Sequence, residues 1–157
     1  MYIQKVKGDA FFYFPNFCVV EAFNAFARLR YRENRISDKA YRDYLGVFKG
    51  EIRSRKLLYC YNLQRYHNYN ADLVYQSEHT IKPLDPDVDH APKSKCSLSG
   101  LDILVIGMGM ELKRIHPKDQ VYIVTNDERL AKVANSDPDK FVKAIYLENT
   151  KISQLPK

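Results

Sequence analysis

The hydrophobic and polar positions along the chain follow two different repeats. Short runs of apolar, β-branched and aromatic residues are typical of buried strands, and they occur over 10–14, 121–124 and 141–147. Apolar residues spaced three or four apart are typical of helices and fill the longer segments between these runs. We predict helices over 17–33, 38–56, 63–76, 101–115 and 127–135.

Polar residues stand where several of these helices should begin. Asn16 and Ser37 can each accept a hydrogen bond from a backbone amide in the first helical turn, so we expect them to be N-caps. Ser97 or Ser99 is expected to start the long apolar helix LDILVIGMGMELKRI. Pro117 marks the end of that helix.

Other stretches are less decided by pattern. Residues 1–7 resemble the tail of a helix, and residues 57–61 could form a short strand or lead into another helix. Gly46 and Gly50 weaken the prediction that the second helix is unbroken. Residues 79–97 hold three prolines and are expected to form a long surface loop.

Strands separated by helices indicate an α/β protein with a parallel sheet covered by helices on both faces. The 157 residues, 45% hydrophobic and 28% charged, suit one globular domain. No apolar run approaches the ~20 residues of a membrane span, and the N-terminal residues lack the organisation of a signal peptide. Three widely spaced cysteines imply neither a disulfide framework nor a metal site, which fits a reducing cytoplasm.

The net charge of +6 is unevenly distributed. Residues 1–66 hold 13 Lys/Arg against 6 Asp/Glu, a net of +7, whereas residues 67–157 hold 12 against 13, a net of −1. A basic half is typical of proteins that bind a polyanion such as RNA, and Arg28, Arg30 and Arg32 are the candidate RNA-binding residues. The alternative is an ordinary solvated basic surface.

Three acidic residues lie beside apolar segments. Glu21 interrupts an apolar helix, where Asn24 and Arg28 would complete a polar stripe on its solvated face. Asp102 has only apolar residues and glycine at helical spacing, although it could instead be a first-turn acid helped by Ser99. Asp127 follows a buried strand, and it could equally be the N-cap of the next helix.

Taken together, these carboxylates suggest a cluster at one end of the sheet, because ligands of parallel sheets bind beyond the carboxyl ends of the strands. Carboxylate oxygens suit Mg²⁺ or Mn²⁺. A metal ion held there could activate water for phosphodiester hydrolysis. With the basic first half to hold the backbone, this pattern indicates a metal-dependent nuclease.

Three segments, FPNFCVVEAFNAFAR, LSGLDILVIGMGMEL and VYIVTNDERLAKVA, resemble the PIN domain family in order and spacing. The resemblance covers roughly residues 5–147 and implies a three-layer α/β/α sandwich with a central parallel sheet. It also implies a ribonuclease whose acidic ring binds Mg²⁺ or Mn²⁺. By the resemblance, Glu21, Asp102 and Asp127 are the catalytic metal ligands, and the supporting residues are Thr125, Asn126 and Ser99.

The family pattern also begins with a central strand that ends in an aspartate, and no such strand precedes Glu21 here. Either the chain starts at an internal methionine of a longer protein, which we prefer because an unpaired central strand is costly, or it is a degenerate member. The expected function is therefore a ribonuclease, with a catalytically incomplete RNA-binding or protein-binding module as the alternative. Some relatives of this type are toxins, so the partners considered are RNA, a protein antitoxin and a second copy of the chain.

Overall fold

A computed structural model describes residues 11–55, 58–81 and 97–147 of the chain. The described residues divide into two compact units, the first up to Leu63 and the second from Gln64 onward. The predicted helix over 1–7 and most of the predicted loop over 79–97 lie outside the described residues. None of the helices in the described ranges is long and apolar enough to cross a membrane.

The first unit is a β-α-α-β arrangement. Its described elements are β1 (Phe12–Pro15), α1 (Cys18–Ala27), α2 (Asp38–Ser54) and β2 (Leu58–Tyr61), with a π-helical segment (Arg28–Arg32) directly after α1. The two strands pair in parallel, with Phe12 opposite Leu58 and Pro15 opposite Tyr61. The undecided segment 57–61 is therefore a strand over most of its length.

Aromatic side chains hold the helices of this unit together. The ring of Phe48 on α2 meets Phe14, Phe23 and Phe26 edge to face, with ring centroids 5.6 to 5.9 Å apart. Such edge-to-face pairs stabilise a fold beyond the area that they bury. Within the described part of this unit, Tyr61 is the one buried hydrophobic residue, with 9% of its surface exposed.

The predicted start of α2 is confirmed and that of α1 is wrong. Ser37 accepts a hydrogen bond from the Ala40 amide at 3.2 Å, as expected of an N-cap. The N-cap of α1 is Phe17, without a side-chain cap, because the Asn16 amide oxygen instead accepts the Leu63 backbone N–H at 3.2 Å. A long-range bond that closes the β1–β2 pair thus replaces the local cap.

The two glycines of α2 do not interrupt it. A Cβ atom at Gly46 or Gly50 would meet nothing within 4 Å, so both positions lie on an open side of the helix. The helix ends at Arg55, which adopts a left-handed conformation with φ of 53°. Left-handed residues commonly terminate helices in this way.

The second unit holds the main core. Its described elements are α3 (Arg65–Thr80), α4 (Gly100–Ile115), β3 (Ile123–Thr125), α5 (Glu128–Ala134) and β4 (Ala144–Tyr146). The two strands again pair in parallel, with Ile123 opposite Ala144 and Thr125 opposite Tyr146. Fully buried side chains from α3, α4, α5 and the segment before β4 form the core, namely Val74, Ile103, Ile106, Val133, Phe141 and Val142.

Glycine lets α3 and α4 approach closely. A Cβ atom at Gly107 would lie 2.9 Å from the backbone oxygen of His67, closer than real Cβ atoms lie to such atoms. The side-chain amide of Asn70 donates to the Gly107 carbonyl at 3.2 Å across the same contact. His67, also at this contact, is fully buried.

The side chain of Asn135, just after α5, binds the backbone of β4 at two points. Its amide nitrogen donates to the Ala144 carbonyl at 3.0 Å, and its oxygen accepts the Ala144 N–H at 2.9 Å. Both groups of Ala144 are thereby satisfied by a side chain rather than by a strand.

The predicted α/β class and the parallel pairing of strands are confirmed. The described strands form two separate two-stranded sheets, one in each unit. The strands and helices of the second unit fall close to their predicted positions, and α4 begins after Ser99 rather than Ser97.

Candidate functional site

Asp127 lies directly beyond the carboxyl end of β3. Its carboxylate Oδ1 accepts the Leu130 amide of α5 at 2.7 Å, so the predicted N-cap is confirmed. The Asp127 amide in turn donates to the hydroxyl of Thr125 at 3.0 Å, which fixes the turn between strand and helix. Asn126, between them, is exposed. The strand-to-helix turn thus presents the Asp127 carboxylate at the surface.

Asp102 stands in the first turn of α4, where it shares a capping box with Ser99. The carboxylate Oδ2 accepts the Ser99 backbone N–H at 2.9 Å and the Ser99 hydroxyl at 2.6 Å, while that hydroxyl accepts the Asp102 amide at 3.3 Å. The first-turn interpretation of Asp102 is therefore confirmed. The side chain is half-buried, and its charge is stabilised by the helix N-terminus and these donors.

Each cap engages a single oxygen of its carboxylate. Asp102 uses Oδ2 and Asp127 uses Oδ1, and the other oxygen of each makes no hydrogen bond to a residue in the described ranges. Capping and ligand binding are compatible for such a group, because a carboxylate offers about four lone-pair directions.

Glu21 is exposed on α1, and so are Asn24 and Arg28. The polar stripe predicted for this helix is thus solvated. Glu21 belongs to the first unit, whereas Asp102 and Asp127 both belong to the second. Within the second unit, the two aspartates stand at the N-termini of α4 and α5, two helices that pack into the same core.

The donor type fits a hard divalent cation. Magnesium is commonly bound by one or two carboxylates together with waters and substrate phosphate oxygens, and Asp102 and Asp127 provide two carboxylates. Across residues 11–55, 58–81 and 97–147, no three His, Cys, Asp or Glu side chains gather closely enough to hold a metal ion. Asp102 and Asp127 are therefore two carboxylates of a suitable type, and the described residues form no complete ring of donors.

The candidate RNA-binding arginines differ in their contacts. Arg30 donates to the Asp38 carboxylate at 2.6 Å, and this hydrogen bond holds the pKa of Asp38 below its ordinary value. Arg28 pairs with Glu33 at 3.1 Å. Arg32 is exposed and makes no ion pair with another residue of the described ranges. Of the three arginines, Arg32 is the most available for a phosphate.

No family model matches the chain, and no curated protein or solved structure gives a significant match. The resemblance to PIN domains therefore remains a prediction from the three quoted sequence segments.

Sequence reasoning missed a set of buried charged or titratable residues in the second unit. Glu78, Glu111 and Arg129 are all at most 9% exposed, and His67 is fully buried. A signal existed for two of them, because His67 and Glu78 lie at helical spacing with the buried Val74 on one face of α3. A charged residue on an apolar helix face indicates a buried partner.

Proposed function

We propose that the chain is a metal-dependent ribonuclease of the PIN type, in which Asp102 and Asp127 hold Mg²⁺ or Mn²⁺. The observation that supports this proposal most directly is the position of Asp127, which follows the carboxyl end of a parallel strand with one carboxylate oxygen still available. Asp102 supplies a second such oxygen in the same unit. We also propose the three-layer sandwich and the role of Glu21 as a metal ligand, both of which the resemblance implies.

The bound ion and a few side chains would each have a defined role in the reaction. The bound ion would supply an activated water and stabilise the leaving oxygen of the phosphodiester. Asp102 and Asp127 would orient that ion through the oxygens that the caps leave available. Ser99 would hold the Asp102 carboxylate through its hydroxyl, and Thr125 would fix the backbone of Asp127 by accepting its N–H. Arg28, Arg30 and Arg32 would bind RNA phosphates.

Cleavage of single-stranded RNA by the full chain, with Mg²⁺ or Mn²⁺ and with a chelator, tests the proposal. Asp102→Asn is the informative variant, because its amide oxygen can still accept the Ser99 bonds while the negative charge is lost. We expect kcat to fall at least about 100-fold, equivalent to about 3 kcal/mol of transition-state stabilisation. Asp139→Asn, an exposed aspartate in the turn before β4, is the matched control and should cleave like the wild type. Cleavage that persists in the chelator would contradict the proposal.

A second candidate is an RNA-binding module without turnover. The absence of a gathered set of three acidic donors in the described residues favours it, as does the net charge of +7 over residues 1–66. Binding that weakens steeply with salt, without cleavage under any divalent ion, would select this candidate. A protein antitoxin as partner belongs to the ribonuclease proposal and would be sought by co-purification.

A further inference from the structure

A buried ion pair joins α3 to α5, the helix that Asp127 caps. Glu78 on α3 and Arg129 on α5 are each only 6% exposed, and Arg129 Nε lies 3.5 Å from Glu78 Oε1. Buried ion pairs rarely increase stability over a well-packed apolar pair of similar volume, and removing one partner is strongly destabilising. The pair by itself is therefore weak evidence for stability, and its contacts with the neighbouring segments are more informative.

Glu78 reaches the start of α4. The same Oε1 atom accepts the backbone N–H of Leu98 at 2.5 Å. Leu98 immediately precedes Ser99, the N-cap whose side chain and amide bind Asp102. A charge-assisted bond from α3 thus fixes the backbone at the point where the capping box begins.

Arg129 reaches in the opposite direction, from α5 to the end of α3. It lies two residues after Asp127, in the first turn of α5. Its Nη2 atom lies 3.3 Å from the Glu78 carbonyl and 3.4 Å from the Ile81 carbonyl, and it donates to both. The Glu78 carbonyl lies in the last turn of α3, where it also accepts the Ile81 N–H at 3.1 Å, and Ile81 is the C-cap of that helix.

We infer that Glu78 and Arg129 are positioning residues that set the Asp102 and Asp127 carboxylates relative to each other. Glu78 binds the residue before Ser99, the N-cap next to Asp102. Arg129, in the first turn after Asp127, binds the end of α3. The role of this positioning in metal binding rests on the proposed function, whereas the coupling between the two caps should exist in the protein without metal. The hydrogen bonds and ion pair described for Glu78 and Arg129 go to Leu98, Ile81 and each other rather than to either aspartate, so each acts through the backbone that it holds.

Hydrogen exchange of two amides in the metal-free full chain tests the coupling. The Asp102 amide is bound by Ser99 and the Leu130 amide by Asp127, so each reports one cap. In Glu78→Gln, which keeps an acceptor for Leu98 but loses the charge, we expect both amides to exchange about tenfold faster. The exposed pair Glu128–Lys132 on α5 offers a control, since the double variant E128Q/K132Q should stay within about twofold.

The variant E78Q/R129M guards against a simple loss of folding, because exchange of a buried pair for less charged side chains is often tolerated. Faster exchange at both caps, with unchanged protection of core amides such as Val133, supports positioning. A change confined to Asp102, or an equal acceleration throughout the second unit, overturns it.

Mn²⁺ titration separates this inference from the proposed function. In the wild type we expect Mn²⁺ to broaden the resonances near Asp102 and Asp127 together, and Glu78→Gln should raise the Mn²⁺ concentration needed about tenfold. If the wild type shows no selective broadening, the proposed function fails and the exchange experiment still decides the coupling. If the variant binds Mn²⁺ as tightly as the wild type, the positioning role is overturned.

Discussion

The close approach of α3 and α4 at Gly107 makes a quantitative prediction about stability. In Gly107→Ala, the new Cβ atom would lie 2.9 Å from the His67 backbone oxygen and 3.4 Å from the Asn70 Cβ. The first neighbour is backbone and cannot rotate away, so α3 must shift as a whole. Overpacking of this kind costs about 1–3 kcal/mol.

A gain in helix propensity partly offsets this cost. Replacing glycine by alanine inside a helix stabilises it by about 0.5–1 kcal/mol, so the net destabilisation by Gly107→Ala should lie within about 0–2.5 kcal/mol, with a central value of about 1 kcal/mol. Gly46→Ala has the same propensity gain and no steric cost, because a Cβ there meets nothing within 4 Å. Gly109→Ala should fall between them, since its neighbour, the Ile123 Cδ1 at 3.1 Å, can move.

The assay is urea unfolding followed by circular dichroism, with the free energy of unfolding compared among the four proteins. We expect the order Gly46→Ala, wild type, Gly109→Ala, Gly107→Ala, from most to least stable. A Gly107→Ala protein as stable as the wild type, in an experiment where Gly46→Ala gains stability, would show that the two helices do not approach this closely.

Three further outcomes are expected. Asp127→Asn should retain the wild-type melting temperature, because asparagine caps a helix as well as aspartate does, whereas Asp127→Ala should lower the free energy of unfolding by about 1 kcal/mol. If Asp127→Asn also binds Mn²⁺ like the wild type, the residue acts only as a cap. Burial lowers the pKa of His67 from its ordinary 6.5, against a weaker opposing effect of Glu111, so the unfolded chain takes up the proton more readily. The free energy of unfolding should therefore fall as the pH drops below about 6.5 and level off below the pKa of His67 in the folded protein. Denaturant titrations of His67→Gln should show less of this loss. If the wild type and His67→Gln have equal pH profiles, His67 is not the source of the effect. Arg32→Gln should weaken RNA binding and reduce the slope of log K against log salt by about one in filter-binding assays. Lys118→Gln, at an exposed lysine in the turn after α4, is the control and should change neither.

The local features of this fold could be predicted from the sequence. Ser37 and Asp127 cap helices through residues only three positions away, so short-range patterns identify them. The first-turn role of Asp102 was also readable, because Ser99 stands three residues before it. Gly46 did not break its helix, since a glycine on an open helix face lowers stability without forbidding the helix.

The remaining features depend on residues far apart in the chain. The Asn16 side chain accepts the Leu63 amide, 47 positions away, and therefore does not cap α1 as predicted. Arg129 lies 51 positions from the carbonyl of Glu78 that it binds. Strand pairing is equally long-range. Periodicity shows which face of a strand is buried but not which strand lies beside it, so the division into two sheets could not be predicted from the sequence.

The bidentate contact of Asn135 with Ala144 determines how the second sheet can grow. In the parallel ladder, Lys143 and Leu147 bond to β3, so the N–H and C=O of Ala144 point to the opposite side, where Asn135 occupies both. That side of β4 is therefore closed to an incoming chain at this residue, a protection that edge strands commonly need. An additional strand that extends this sheet would add next to β3, the strand whose carboxyl end leads to Asp127.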